Sequence, residues 1–317
     1  MGEMSKKDLK DLMEEMRNMV QKAFGDDFYV SLETVKKNNG LTKNAVNIRK
    51  SDQPIASVIY IDQVLGLIKD GSTGLQDAVN EIVEMYEKQS TEITMNGAAG
   101  IMESLKKENI LKKVVYRLIN REKNREKLAY VPHRDFLDLA VVYCMEENKA
   151  GGLQYSVMLD DALCYSLGIS LAELEEASEQ NTQARGFTVQ TMDDIIRQSV
   201  SEDMGATPSE TLGVSMRVPA RPDMWVFTSI SKAYGAPILL YQKYFEDVAV
   251  GLNDDLYIMP SSIHELICIP AAGVNPGDLR TIVREINSTQ VAVEDVLSNN
   301  VYLYRKETGV ISIAPAK

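Results

Sequence analysis

The stretch FYVSLETVKKNNGLTKNAVNIRK, residues 28–50, decides the fold class. Tyr29, Ser31 and Glu33 alternate with Val30, Leu32 and Thr34, the period-two pattern of a half-buried strand. Asn39-Gly40 supplies residues that accept positive φ in a tight turn, so the pattern predicts a hairpin across residues 27–49. IASVIYI, residues 55–61, follows as an apolar strand. Helical spacing lies on both sides. Leu9, Leu12, Met13, Met16, Met19, Val20 and Phe24 form one stripe ended by Gly25, and Leu75, Val79, Ile82, Val83 and Tyr86 form another across residues 74–90.

The same mixture continues to the end of the chain. KKVVYRLI (112–119), DLAVVYCME and GLQYSVML read as strands, the last two joined by a turn at Gly151-Gly152. REKNREKLAY (121–130), LDDALCYSLG, SLAELEEASEQN and residues 189–201 read as helices. Ser170 with Glu173 three residues later makes a capping box. Residues 204–223, rich in Pro, Gly and small polar side chains, read as a linker or long loop. Beyond it come a strand in DMWVFTS, a short strand feeding a helix in GAPILLYQKYFEDVAVGL, and strands in DLYIMP and HELICIP. A helix in NPGDLRTIVREINS and a terminal hairpin in VYLYRKETGVISI complete the chain. Strands and helices alternate with many hairpins, which predicts an α+β fold with mixed, mostly antiparallel sheets and flanking helices. The expected organisation is an N-terminal α+β region over 1–203, the linker, and a C-terminal α+β region over 224–317.

One phrase recurs. Tyr130-Val131-Pro132 precedes Asp138-Leu139 much as Tyr257-Ile258-Met259-Pro260 precedes Glu265-Leu266, and each acid-Leu pair opens a strand. A single matched phrase raises the idea of a duplication without establishing one.

Composition narrows the function. The 317 residues carry 34 Lys plus Arg against 46 Asp plus Glu, a net charge of −12, which excludes a uniformly basic nucleic-acid-binding surface. Three Cys argue against a disulfide framework and for a reducing, cytoplasmic setting. The N-terminal charges do not fit a signal peptide, Lys6 does not fit a myristoylation site, and no apolar run reaches membrane-spanning length. No membrane association is expected. Two His, His133 and His264, leave no room for a three-His zinc centre.

Several phrases carry chemistry-bearing residues. In PSSIHELICIP, Ser261, Ser262, His264 and Glu265 stand together, but Cys268 occupies the place of the second His of a zinc helix motif. In a strand, His264 and Cys268 would lie about 13 Å apart, too far for one metal. No Gly-x-Ser-x-Gly elbow surrounds either Ser. His133, Arg134 and Asp135 echo a kinase catalytic loop, yet the glycine-rich loop, strand lysine and Asp-Phe-Gly motif are missing. If the repeated phrase were structural, His133, Asp135, His264 and Glu265 could converge on a metal, making a two-His, two-carboxylate site. Residues 106–127 form a basic island of nine Lys or Arg against three Glu: Lys106, Lys107, Lys112, Lys113, Arg117, Arg121, Lys123, Arg125 and Lys127. This island reads as a solvated face or as a docking patch for an acidic protein, with too few aromatics for base stacking. No phosphate loop and no paired-Cys metal spacing is present.

The phrases FYVSLETVKKNNGLT, VYRLINREKNREKLAYVPHRDFLDLAVVY, GISLAELEEASEQNT, MWVFTSISKAYGAPILLY, DLYIMPSSIHELICIP and DLRTIVREINSTQVAVEDVLSNNVYLYRKETG resemble a domain-of-unknown-function family of bacterial proteins, mainly from anaerobic Firmicutes and their mobile elements. Pro260–Glu265 is the most specific of them, the resemblance spans residues 27–313, and it is weakest over 201–223. It implies no reaction, ligand or catalytic residue.

The expectation is therefore a cytoplasmic, non-catalytic module that binds a partner protein, without cofactor, with nucleic acid disfavoured and homo-oligomerisation left open. Two alternatives stand beside it. One is a metal-dependent enzyme using the two-His, two-carboxylate set; the other is an acidic protein that blocks a nucleic-acid-binding partner.

Overall fold

The computed structural model describes residues 6–53, 56–148, 154–203 and 224–315. The chain separates into two compact units, with the boundary between Asn109 and Ile110.

The first unit packs helices on a small antiparallel sheet. Helix α1 (Lys6–Phe24) is followed by β1 (Phe28–Lys36), β2 (Thr42–Lys50) and β3 (Ser57–Tyr60), in sheet order β1-β2-β3. The predicted hairpin forms, with Asn39 and Gly40 both at positive φ in the turn. Gln21 ties α1 to the sheet: its Nε2 donates to the carbonyls of Gly25 and Phe28, and its Oε1 accepts from the Val30 amide. Helix α2 (Asp62–Asp70), which the periodicity did not separate, ends on Gly71 in the left-handed region, and α3 (Leu75–Ser104) extends well past the predicted end. Met16, Val20, Val46, Ile48, Ile61 and Ile82 fill the core, closed at one end by the mutual edge contacts of Phe24, Phe28 and Tyr86.

In the second unit two antiparallel sheets share one body. After α4 (Lys107–Lys113), which carries the boundary, come β4 (Val114–Asn120), the short α5 (Arg125–Leu128), β5 (His133–Phe136), β6 (Leu139–Asn148) and β7 (Gln154–Met158). Strand β6 is central: β4 runs along one edge, while β5 and β7 pair with its first and second halves. Every residue of β4 is buried, because α7 lies on this strand, and Asn181 and Thr182 of that helix bond its backbone. Helix α6 (Asp161–Ser166) precedes α7 (Leu171–Arg185), whose predicted capping box forms between Ser170 and Glu173.

Residues 187–191 are strand β8 (Phe187–Thr191), and only then does α8 (Met192–Asp203) begin, so the helix predicted from 189 starts later. Period-two and helical signals overlap in VQTMDDII, and pairing with β9 (Trp225–Ser229) decides for the strand. The predicted Gly151-Gly152 turn and the 204–223 segment lie outside the described residues, but β8 and β9 on either side of the latter belong to one sheet. The strand expected at APILL is instead a 3-10 turn, Ala236–Leu240, because Pro237 sits where its missing N–H costs nothing.

The second sheet also holds β10 (Leu256–Met259), β11 (Glu265–Pro270), β12 (Tyr302–Tyr304) and β13 (Ile311–Ile313), in order β13-β12-β10-β11-β9-β8. Alternation sends Phe227, Leu256, Ile258, Leu266 and Tyr304 to one face and Tyr257, Met259, Ile269 and Leu303 to the other. Helix α9 (Gln242–Leu252) covers the first through Phe245, stacked on Phe227; α10 (Pro276–Thr289) covers the second through Leu279 and Val283. Coverage on both faces explains why these strands read as continuous apolar runs.

Candidate functional site

Charged side chains interrupt two apolar strands of the first sheet in the second unit: Arg117 in VVYRLIN, and Glu146 with Glu147 in VVYCMEE. Arg117 pairs with Val142 in register and therefore shares a face with Cys144 and Glu146. The guanidinium of Arg117 donates from Nη2 to one Glu146 oxygen, and Arg185, at the end of α7, donates from Nη1 to the other. Arg117 is 6% exposed and Glu146 3%, so the pair is buried, while the Arg185 side chain reaches partly to solvent. Burial holds Arg185 below the ordinary guanidinium range.

The three groups carry one net positive charge, and the hydrogen-bond account does not close. Nη1 of Arg117 is buried and has no hydrogen-bond partner among the described residues. Leaving such a donor unsatisfied costs about 1–3 kcal/mol, and more for a charged group. Arg117 lines a cavity of ≈ 30 Å³ together with Tyr116, Glu146, Thr182, Arg185, Ser231 and Tyr234.

Tyr234 forms one wall. Arg117 lies over its ring, and the His264 imidazole approaches the same ring, with centroids 4.9 Å apart. The loop holding Tyr234 is strained: Lys232 and Tyr234 both adopt positive φ. A Cβ on Gly235 would stand 2.3 Å from the Ser229 amide nitrogen, so no other residue fits. His264 fastens this loop. Its Nδ1 accepts from the Tyr234 amide, which leaves the proton on Nε2 facing Asp295 at 3.4 Å.

Beside this cluster, Glu175 of α7 accepts from the Tyr143 and Tyr116 hydroxyls at 2.5 and 2.7 Å and meets Arg134 at 3.2 Å. Burial, followed by the charge and hydrogen bond of Glu175, pushes both phenols far up. Tyr241 and Tyr302 are raised as well, again first by burial. A group that holds its proton more tightly when folded stabilises the fold below its unfolded pKa. That stability is then lost as pH rises through the alkaline range. Melting temperatures should therefore fall progressively above the ordinary phenol value of 10.0, in step with tyrosinate absorbance at unfolding. Exposed phenols such as Tyr130 and Tyr165 are open to titration in the folded chain, so the contradicting result is ionisation of all fourteen tyrosines before unfolding.

A second feature lies on the same unit. Leu128, Val131, Pro132, His133, Cys164, Ile169, Leu171 and Leu174 line an open cleft of ≈ 540 Å³. Of its lining, Tyr165 is 90% and Leu171 half exposed, and Tyr130, between the lining residues Ala129 and Val131, is 73% exposed. Asp161 stands on one side, and exposed Lys123 and Arg125 precede the other wall.

The residues singled out from sequence are distributed as follows. His133 lines the cleft, its Nδ1 2.7 Å from the Val131 carbonyl, and Asp135 is exposed and paired with Arg121. His264 serves the Tyr234 loop, and Glu265 is exposed at the start of β11. Ser262 Oγ accepts from the His264 amide, and the Ser261 carbonyl accepts from Leu297. His133 opens β5 of the first sheet, His264 lies just before β11 of the second, and the two have different partners. Among the described residues no group of three or more His, Cys, Asp or Glu is placed to hold a metal ion. The basic island is divided: Lys106 and Lys107 fall in the first unit, Lys106 pairing with Glu103, and Lys112 to Lys127 fall in the second. Arg117 leaves the surface altogether. The repeated phrase keeps its strand openings at Leu139 and Glu265, but Tyr130 sits in a turn and Tyr257 in a strand.

Sequence reading missed Glu146, Glu175, Arg185 and Tyr234. The available signal was a lone Arg in one strand and a Glu-Glu pair near the end of another, each preceded by an apolar run. All three cysteines are buried free thiols; burial pushes Cys144 up to about 12 and Cys268 well above its ordinary value, and raises Cys164, which disfavours the thiolate in each. No helix among the described residues is long and apolar enough to cross a membrane. A model of a family of unknown function, DUF5688, matches residues 9–306. No curated protein and no solved structure matches the chain.

Proposed function

We propose, for a chain that belongs to the DUF5688 family and takes no reaction from it, a non-catalytic module that docks a partner protein at the cleft between α5 and the start of α7. The observation that supports this reading is the exposure of Tyr130, Tyr165 and Leu171 around an apolar cleft, since aromatic side chains are enriched where interfaces concentrate their energy. The volume suits one or two apolar anchor side chains. Lys123 and Arg125, exposed and a few residues before the lining residue Leu128, favour a partner segment that places carboxylates beside its anchor. Three free thiols fit a cytoplasmic setting.

The test is a photo-crosslinking amino acid at position 165 of the full chain, irradiated in native cell extract. One discrete protein adduct, lost when Leu171→Glu is added, is the expected result. No adduct, or adducts indifferent to Leu171→Glu, would refute the docking site, and an adduct with a second copy would replace the partner by self-association.

A further inference from the structure

We propose that the cavity beside Arg117 is a receptor for a single carboxylate group, supplied by a small organic acid or by the C-terminus of a peptide. The site is separate from the cleft. Three observations converge on it. Arg117 is more than nine-tenths buried and lines the cavity, and its Nη1 has no partner among the described residues. A guanidinium can offer two parallel N–H groups to a carboxylate, but here Glu146 engages Arg117 through Nη2 and one oxygen only, and Nη1 remains unmatched. The Arg117, Glu146 and Arg185 cluster carries one net positive charge, which a monoanion balances and a dianion overmatches.

Size and walls refine the class. At ≈ 30 Å³ the cavity has room for roughly two water-sized groups, each needing about 10–15 Å³, so it takes a head group and leaves the rest of the ligand outside. Arg185 stands partly exposed on its wall, Thr182 and Ser231 add hydroxyls, and the Tyr234 ring excludes water from one side of the Arg117 guanidinium. The Tyr234 loop is built rather than incidental, because it combines two positive-φ residues, a position that admits only Gly, and the His264 clasp. Strain of this kind persists where the surrounding structure fixes it, and here it fixes a ring against an unsatisfied cation.

Calorimetric titration of the full chain at low ionic strength tests the proposal with acetate, triglycine, triglycine amide and inorganic phosphate. Saturable binding of acetate or triglycine is expected, with the amide and phosphate weaker. Arg117→Lys keeps the charge toward Glu146 but loses the free N–H pair. It should weaken binding about ten- to a hundredfold, the effect of one charge-assisted hydrogen bond, in protein shown by a cooperative melting transition to be folded. Should that variant fail to fold, Arg185→Lys at the more exposed partner supplies the same comparison. Triglycine binding more tightly than acetate assigns a peptide terminus; equal affinities assign a free acid. Absence of saturation, phosphate binding more tightly than either carboxylate, equal binding of the amide, or indifference to both Lys variants would overturn the proposal. Leu171→Glu should leave the titration unchanged, which keeps this result independent of the cleft.

Discussion

Glu146→Ala is expected to destabilise the second unit by about 3–5 kcal/mol, the cost of removing one partner from a buried ion cluster. The substitution takes the carboxylate from between two guanidiniums, leaving Arg117 buried with neither of its terminal nitrogens paired. Coulomb attraction is not what makes the loss large. Desolvation of Arg117 has already occurred in the folded chain, and the Tyr234 ring against its guanidinium compensates only part of it. A midpoint drop of about 6–20 °C in thermal unfolding corresponds to that loss for a unit of this size. Glu146→Gln, which keeps an acceptor oxygen without the charge, should fall between wild type and Ala. Replacing Arg117, Glu146 and Arg185 together with Met or Leu should recover most of the stability, because apolar side chains of similar volume carry no desolvation cost. A Glu146→Ala protein as stable as wild type would show that the cluster is hydrated in solution.

Asp138→Ala should produce the second large effect, about 3–5 kcal/mol, through three donors that lose one acceptor. Asp138 lies just before β6, and its carboxylate accepts from the Ser298 hydroxyl at 2.6 Å, the Asn300 amide group at 3.0 Å and the Tyr302 hydroxyl at 2.5 Å. Tyr302 and Ser298 are fully buried, so neither finds water when the carboxylate is gone. The contacts join the first sheet of this unit to β12 of the second, and their loss should also loosen the two sheets from each other. Amide exchange over residues 298–304 is expected to speed up in Asp138→Ala and much less in Asp138→Asn, which keeps an oxygen in place. Equal exchange in wild type and Asp138→Ala would mean that apolar packing alone joins the sheets.

The mixed, mostly antiparallel architecture was legible because local rules act locally. The Asn39-Gly40 turn, the Ser170–Glu173 capping box and the α10 stripe need little beyond their own neighbours in sequence. Residues 187–191 and 236–240 went the other way for reasons outside the segment: one pairs with a strand more than thirty residues on, and the other is shaped by Pro237 and by packing on β4. The arginine site was less visible. Arg117 looked like one cation in a basic island because a run of charges in sequence says nothing of which side chain turns inward. Its partners, Glu146 and Arg185, are 29 and 68 positions away and were assembled by strand register and by the end of α7. The two His were located at strand entries, as their phrases suggested, yet register sent one to the cleft and the other behind Tyr234.

The docking role is tested most directly by amide hydrogen exchange of the full chain, alone and with the partner captured from position 165. Protection confined to residues 128–133 and 161–174 is the predicted result. Protection elsewhere on the chain, with these two segments unchanged, would contradict it.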